Sequence, residues 1–137
     1  NELWIEIELS SSLLFTSGDA VPNNAAFDII EKVAKILAPY ENPVHVEGFT
    51  DNLPIKNSTF PSNWELSATR ASTVARLFME NGVDENRITA VGQGPKFPVG
   101  SNETVEGRAR NRRVAITILS VLPETPVDVP VSPGIKP

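Results

Sequence analysis

Two patterns of apolar residues alternate along this chain. At residues 3–9 every second residue is a leucine or an isoleucine, which is typical of a strand with one buried face. Further strands are predicted at 44–51, 87–92 and 114–118. The segments between these strands contain two longer amphipathic helices and a short helix at 104–111. This order of elements predicts an α/β domain with helices packed on a sheet.

Capping signals and breakers delimit the two longer helices. The first helix covers 26–37 and ends before Pro39. The second helix begins after Ser62, and Glu65 stands three residues further on, which is the spacing of a capping box. It ends at Gly82, as expected for a glycine at a helix C-terminus.

Prolines recur after residue 122, at positions 123, 126, 130, 133 and 137. A segment of this composition favours an extended chain that does not pack against a core. The sequence therefore predicts one domain at residues 1–122 and a flexible, proline-rich tail at 123–137.

Composition excludes several classes of protein. The chain has 137 residues, of which 40% are hydrophobic and 21% are charged, as in an ordinary globular domain. Its net charge of −5 argues against nucleic-acid binding, which depends on a basic surface. The absence of cysteine excludes disulfides and thiolate metal sites. No apolar run approaches the roughly 18 residues of a membrane span.

Arg70 lies on the apolar face of the second long helix. At about 100° per residue, Arg70 and Ser67 fall within a face formed by Leu66, Ala71, Val74, Ala75, Leu77 and Phe78. A partly dehydrated guanidinium needs an anion, because an uncompensated buried charge costs roughly 3–5 kcal/mol. Asp51, at the end of the second strand, and the carboxylate of a ligand are both candidates. A purely structural Arg70–Asp51 pair therefore stays open beside a ligand site.

Other candidate sites are weak. Gly92-Gln93-Gly94 begins like a dinucleotide fingerprint, but Phe97 stands where the third glycine belongs. His45 has no second histidine or thiol with which to bind a metal ion, so no metal site is predicted. The chain has no G-x-S-x-G motif, and a carboxylate beside an arginine stays ionised rather than acting as an acid. We therefore predict a protein that is not an enzyme and needs no cofactor.

Three segments resemble the signature segments of OmpA-like peptidoglycan-binding domains. They are GFTDNLPI, PSNWELSATRA and SNETVEGRARNRRVAI. The strings TDNLPI and FPSNWELS, with LLFTSGDA upstream, are similar more specifically to the periplasmic part of flagellar motor stator B subunits of the MotB and MotD type. The resemblance covers about residues 3–119. It implies a βαβαβ(α)β fold with helices on a mixed four-stranded sheet, in which the last strand lies between others.

The same resemblance implies a binding site. In the family, the aspartate of the TD motif and the arginine of the NxxLSxxRA motif hold the diaminopimelate of the peptidoglycan stem peptide. The matching residues are Asp51 and Arg70. A carboxylate suits the ammonium of this zwitterion and a guanidinium suits its carboxylate. Further residues implied for the same pocket are Thr50, Asn63, Leu66 and Arg112.

Two details qualify this assignment. Many members of the family have histidine where this chain has Phe49, so no polar role is expected of this position. In stator members, contact with the glycan, for example with N-acetylmuramic acid, is an alternative to part of the contact with the stem peptide. In the basic run near the C-terminal strand, Arg112 is expected to face the pocket. Arg108, Arg110 and Arg113 are expected to be solvated or salt-bridged.

The implied function is non-covalent anchoring of a flagellar motor stator to the cell wall. The resemblance further implies a homodimer, a stator A subunit as partner through a transmembrane region outside this sequence, and a periplasmic location in a Gram-negative inner-membrane protein. Two alternatives stay open. One is an OmpA- or Pal-type outer-membrane or lipoprotein anchor without a motor function, and the other is a structural dimerisation module with a vestigial pocket.

Overall fold

A computed structural model describes residues 4–120. The strands are β1 (Trp4–Ser10), β2 (Val44–Phe49), β3 (Ile88–Gly92) and β4 (Arg113–Leu119). The helices are α1 (Ser11–Leu14), α2 (Asn24–Leu37), α3 (Asn63–Glu80) and α4 (Val105–Asn111), with a 3₁₀ turn at Glu85–Arg87. The predicted tail at 123–137 and the domain boundary at 122 lie outside the described residues.

The four strands form one mixed sheet in the order β1-β4-β2-β3. Strand β4 is antiparallel to both of its neighbours, whereas β2 and β3 are parallel. The parallel pair is joined through α3, as parallel strands need a crossover connection. The predicted βαβαβ(α)β fold, with the last strand between others, is confirmed.

Helices α2 and α3 cover one face of the sheet. The core between the helices and the sheet is made of apolar residues from α2, α3, β2 and β4. Its most buried members include Ile30, Ala34, Val44, Val46, Val74, Phe78, Val114 and Ile116. The apolar face predicted for α3 is therefore buried, and Arg70 and Ser67 are buried with it.

The opposite face of the sheet carries glutamates. Glu8 on β1 and Glu47 on β2 flank Ala115 on β4, which pairs with both. Ala115 is buried, although it lies on the face of β4 that is opposite to the core. Because β4 is a central strand, side chains from both neighbouring strands cover its short side chain.

The predicted ends of α3 are confirmed. Ser62 is the N-cap, and its Oγ accepts a hydrogen bond from the backbone N–H of Trp64 (3.1 Å). Gly82 has φ +100°, a conformation that side chains disfavour, and it follows the last turn. Helix α1 and the 3₁₀ turn were not predicted, because each is too short to show a periodic pattern. No helix within residues 4–120 has the length and apolar character of a membrane span.

Candidate functional site

A cavity of about 420 Å³ opens between α3, the end of β2 and the segment after β1. Its lining combines two guanidinium groups, one carboxylate, several hydroxyls and a few apolar side chains. The lining residues are Ser11, Ser12, Phe15, Ser17, Gly18, Thr50, Asp51, Leu53, Pro54, Ile55, Asn63, Leu66, Arg70 and Arg112. All six residues predicted for the binding site are therefore brought together in one cavity.

Two glycines side by side on β2 and β3 allow α3 to approach the sheet. Gly48 and Gly92 are register partners. A Cβ atom on Gly48 would lie 2.3 Å from the carbonyl oxygen of Ser67, and one on Gly92 would lie 2.5 Å from the backbone nitrogen of Ala68. Only glycine leaves room for this contact. The first turns of α3 consequently share a cavity wall with the end of β2.

Asp51 accepts hydrogen bonds at both carboxylate oxygens. Its Oδ2 pairs with Nη1 of Arg112 at 2.5 Å, and its Oδ1 accepts from the backbone N–H of Leu53 (3.0 Å). The second bond closes a tight turn directly after β2, in the manner of an Asx turn. The Asp51 side chain is 10% exposed and that of Arg112 is 38% exposed. Asp51 is thus both a turn residue and the carboxylate of the cavity.

Arg70 is buried, and within residues 4–120 no carboxylate is bonded to it. Its Nε donates to the carbonyl of Asp19 (2.7 Å) and its Nη2 to the carbonyl of Thr16 (3.3 Å). The guanidinium lies over the ring of Phe15 at 5.1 Å. Burial and then the nearby charge of Arg112 lower the pKa of Arg70 to about 10, while the carboxylates of Asp19 and Asp51 act in the opposite direction. Arg70 therefore remains a cation at neutral pH.

The direct Arg70–Asp51 pair considered from the sequence is not present. Among residues 4–120, the carboxylate of Asp51 makes its ion pair with Arg112, and Arg70 makes none. Helical periodicity identifies the face on which Arg70 lies, but it does not say which of two arginines reaches the carboxylate. The lining of the cavity thus contains two cations and one anion, and that anion is bonded to Arg112 rather than to Arg70.

The other predicted residues have structural contacts as well as a place in the cavity wall. Nδ2 of Asn63 donates to the carbonyl oxygens of Leu53 (2.9 Å) and Asp51 (3.4 Å), which ties the start of α3 to the turn after β2. The hydroxyl of Thr50 donates to the carbonyl of Asp51 (2.7 Å). Leu66 is buried in a small cluster with Phe60 and Ala20. These contacts fix the geometry of the wall around Asp51.

Asn111 holds the loop at 99–102 next to the turn that contains Asp51. Its Oδ1 accepts from the backbone N–H groups of Val99 (2.7 Å) and Gly100 (2.8 Å), and its Nδ2 donates to Oδ1 of Asn102 (2.8 Å). The same oxygen of Asn102 accepts from the N–H of Asn52, next to Asp51. Asn111 is completely buried and was not singled out in the sequence, because its neighbours in the basic run are more conspicuous.

The segment 11–18 forms a wall that motif positions did not predict. It includes α1, and it lines the cavity with Ser11, Ser12, Phe15, Ser17 and Gly18. Part of it belongs to LLFTSGDA, which the sequence offered only as upstream support for the resemblance. Thr16 lies in this segment and Asp19 follows it, and the backbone carbonyls of both accept hydrogen bonds from Arg70. Such contacts could not be predicted, because every residue has a backbone carbonyl.

The arginines of the basic run have different surroundings. Arg112 lines the cavity, as expected, and Arg110 is exposed. Arg113 is buried: its guanidinium stacks on Phe49 at 3.8 Å and its Nε lies 3.8 Å from Glu8. The expected salt bridge of Arg113 is thus present as a long contact, but the residue is enclosed rather than solvated. Its position after Arg112 on β4 turns it to the opposite face of the sheet.

Metal ligands do not cluster in the described part of the chain. Within residues 4–120, no group of three or more histidine, aspartate or glutamate side chains is placed to hold a metal ion. The glycines that begin like a dinucleotide fingerprint have structural contacts. Gly92 forms the close contact with α3, and Gly94 lies in the loop after β3, where it packs against the ring of Trp64.

Comparison with known proteins identifies the family. Residues 14–112 match the model of the OmpA family. The chain belongs to the OmpA family. It is 40% identical over 116 residues to Motility protein B of Bacillus subtilis, across 82% of this chain and 44% of that protein. It is also 40% identical over 95 residues to Peptidoglycan-binding protein ArfA of Mycobacterium bovis, across 69% of this chain and 28% of that protein.

Solved structures share this OmpA-family fold. The cell wall anchor of the T6SS from Pseudomonas aeruginosa is 37% identical with a TM-score of 0.81, covering 85% of this chain and 82% of that one. The periplasmic domain of Helicobacter pylori MotB is 32% identical with a TM-score of 0.77, covering 84% and 74%. The chain spans about half or less of the length of the curated relatives that it matches.

Proposed function

We propose that the cavity binds the stem peptide of peptidoglycan and that the chain anchors a flagellar motor stator to the cell wall without catalysing a reaction. The observation that carries this proposal is the state of Arg70. It is a buried guanidinium at a cavity wall, and its hydrogen bonds within residues 4–120 go only to backbone carbonyls. A carboxylate of a ligand would give this guanidinium a directly bonded counter-charge.

A diaminopimelate side chain fits the charges of the cavity. Its carboxylate would pair with the guanidinium of Arg70, and its ammonium would approach Asp51. Asp51 already contacts Arg112 and Leu53, but a carboxylate has about four acceptor sites, so further bonds are available to it. The ligand end is a zwitterion, so its binding leaves the net charge of the cavity unchanged. Instead, it places a carboxylate in direct contact with Arg70 and an ammonium in direct contact with Asp51.

The motor role is supported by the similarity to Motility protein B and to the periplasmic domain of MotB. By the same analogy, the chain is the periplasmic, peptidoglycan-facing part of an inner-membrane protein. It would work as a homodimer beside a stator A subunit. Two weak sites held side by side on one polymer gain affinity from effective concentration, so a dimer suits a cell-wall anchor.

A second candidate is a cell-wall anchor without a motor. The similarity to the cell wall anchor of the T6SS and to ArfA favours it, because neither of those names refers to motility. Replacing the matching segment of MotB in a motile bacterium by this chain separates the candidates. Restored swimming supports the motor role. A chimera that binds the cell wall but does not swim favours the general anchor.

The proposed site is tested by cosedimentation with purified sacculi together with thermal unfolding. We expect Arg70→Lys to abolish binding, because it keeps the charge but removes the planar fork. Asp51→Asn should also abolish binding, at a cost of about 1 kcal/mol in stability, because Arg112 is partly exposed and water screens it. A folded Asp51→Asn protein that still cosediments would remove Asp51 from the site.

Matched controls are available outside the cavity. Arg76 is an exposed arginine of α3 that lies 3.9 Å from Glu80, so Arg76→Lys repeats the substitution outside the cavity. Asp28→Asn repeats the other change on the exposed side of α2. Both controls should bind sacculi as the unchanged protein does. Loss of binding in a control would mean that the assay reports net charge rather than the cavity.

A further inference from the structure

Ser11 has a buried hydroxyl without a partner at the wall of the cavity. The residue is 2% exposed, and its Oγ makes no hydrogen bond within residues 4–120. Its backbone is fully used: the N–H donates to the carbonyl of Arg112 (3.0 Å), and the carbonyl accepts from the N–H of Phe15 (2.8 Å). Buried polar atoms are almost always paired in folded proteins. The fold itself therefore gives no reason for a hydroxyl at this position.

A second buried serine shows the ordinary arrangement. The hydroxyl of Ser67 donates to the carbonyl of Trp64 (3.1 Å) and accepts from the N–H of Gly94 (3.0 Å). Both capacities of that hydroxyl are satisfied by the protein. Ser11 and Ser67 are thus both buried, but among residues 4–120 only the hydroxyl of Ser67 has hydrogen-bond partners.

Ser11 is linked through backbone and ring contacts to the two arginines of the cavity. Its N–H is bonded to the backbone of Arg112, and the ring of Phe15, one turn further on, carries the guanidinium of Arg70. All four residues line the same cavity. A neutral donor that lines the same cavity as two guanidiniums suits an oxygen of a carboxylate, which can accept from a guanidinium and from a hydroxyl at the same time.

We propose that Ser11 is a ligand-binding residue of this cavity, whose Oγ–H donates to the carboxylate of the stem peptide that Arg70 holds. Rotation about χ1 moves Oγ among three staggered positions, so the hydroxyl can turn to the ligand without a change in the backbone. The proposal rests on the proposed function. It adds a contact from the segment after β1, outside the three signature segments that carry Asp51, Arg70 and Arg112.

The test is titration calorimetry of the full chain with a soluble tripeptide, L-alanyl-γ-D-glutamyl-meso-diaminopimelate, beside thermal unfolding without ligand. We expect Ser11→Ala to weaken binding about tenfold, which is typical for loss of one hydrogen bond to a charged group. Its melting temperature should equal that of the unchanged protein or exceed it, because the removed hydroxyl has no partner in the fold. The control Ser67→Ala should melt at a lower temperature, because it leaves the N–H of Gly94 without its partner.

The possible results separate this inference from the proposed function. Unchanged affinity in Ser11→Ala, while Arg70→Lys loses binding, would overturn the role of Ser11 and leave the cavity assignment intact. A clear fall in the melting temperature of Ser11→Ala would show a structural role and would also overturn the inference. If the unchanged protein does not bind the tripeptide but Arg70→Lys still loses sacculus binding, the stem peptide is the wrong ligand and both assignments fail.

Discussion

Arg70 and Arg113 are buried to a similar degree, at 4% and 6% exposed, on opposite sides of the sheet. Around Arg113, the backbone carbonyls of Asn111 (3.2 Å) and Phe97 (3.0 Å) accept from its two terminal nitrogens, and Phe49 covers one face of the guanidinium. Burial lowers its pKa, while Glu8, and less strongly Glu6 and Glu47, act in the opposite direction. Its counter-charges are thus supplied by the protein.

Arg70 differs in its anions. The nearest carboxylate of the cavity, Asp51, is engaged by Arg112 rather than by Arg70. Burial of a guanidinium is therefore a poor indicator of a binding site by itself. The useful indicator is burial next to open space without a carboxylate of the protein in direct contact with the guanidinium.

The largest expected effect comes from the contact that places Arg70. In Gly48→Ala, the new Cβ meets the backbone of Ser67, so α3 must shift away from the sheet. We expect a loss of about 3 kcal/mol in stability, as for overpacking in a core, together with loss of sacculus binding. Denaturant unfolding and cosedimentation measure the two effects.

Thr89→Ala is a suitable control for this variant, because Thr89 is exposed on the neighbouring strand β3. It should change stability by less than about 0.5 kcal/mol. If Gly48→Ala were as stable as this control, α3 would not be held to the sheet by the glycine contact. The environment of Arg70 would then need another explanation.

A smaller effect is expected from the arginine on the other side. Arg113→Leu removes the hydrogen bonds to two backbone carbonyls and should cost about 2 kcal/mol in stability. Binding to sacculi at a temperature where the variant is folded should be unchanged, because Arg113 does not line the cavity. Arg110→Leu, at an exposed position in the same basic run, is the matched control and should have little effect.

Loss of sacculus binding in a folded Arg113→Leu protein would contradict the distinction between Arg70 and Arg113. That result would mean that the loop at 97–100 transmits the environment of Arg113 to the cavity, and that the two regions are not independent.

The smallest effect concerns the glutamates near Arg113. Partial burial, and then the neighbouring Glu8, raise the pKa of Glu6. A raised pKa means that the folded state favours the protonated form of Glu6. The contribution of Glu6 to the free energy of unfolding is therefore fully present at low pH and is lost as the pH rises through the pKa of the folded state. Glu6→Gln should stabilise the chain by about 0.3 kcal/mol at pH 7, since solvent screens most of the effect.

The gain from Glu6→Gln should disappear near about pH 3, where the carboxyl is protonated in both states. Thermal unfolding at the two pH values measures it, with Glu41→Gln in an exposed loop as the control. A gain that persists unchanged at low pH would assign it to packing rather than to charge.

The sequence was informative where a pattern extends over several turns or where a signature is long. The amphipathic face of α3 placed Arg70 in the interior, and the TD and NRR motifs led to the residues that meet in one cavity. These features are encoded by side-chain spacing. The strand order was implied by the family resemblance, and the observed order agrees with it.

Features that depend on distances across the fold could not be predicted. To predict them, one must know which segments meet. Examples are the ion pair of Asp51 with Arg112, the hydrogen bonds of Asn111 to the loop at 99–102, and the Ser11 hydroxyl, which has no partner within residues 4–120. Helix α1 has only four residues, which is too short for a periodic signal. The burial of Ala115 depends on its neighbours in the sheet rather than on its own strand.

The position of β4 has a consequence for the order in which the chain folds. Strand β4 is the last in sequence among the described strands, yet it lies between β1 and β2 and hydrogen-bonds to both. Strand β1 must therefore wait for a segment about one hundred residues away before it can pair, and such long-range closure slows folding. During synthesis on the ribosome, the sheet cannot be completed until β4 has emerged, so the domain acquires its native sheet in one late step.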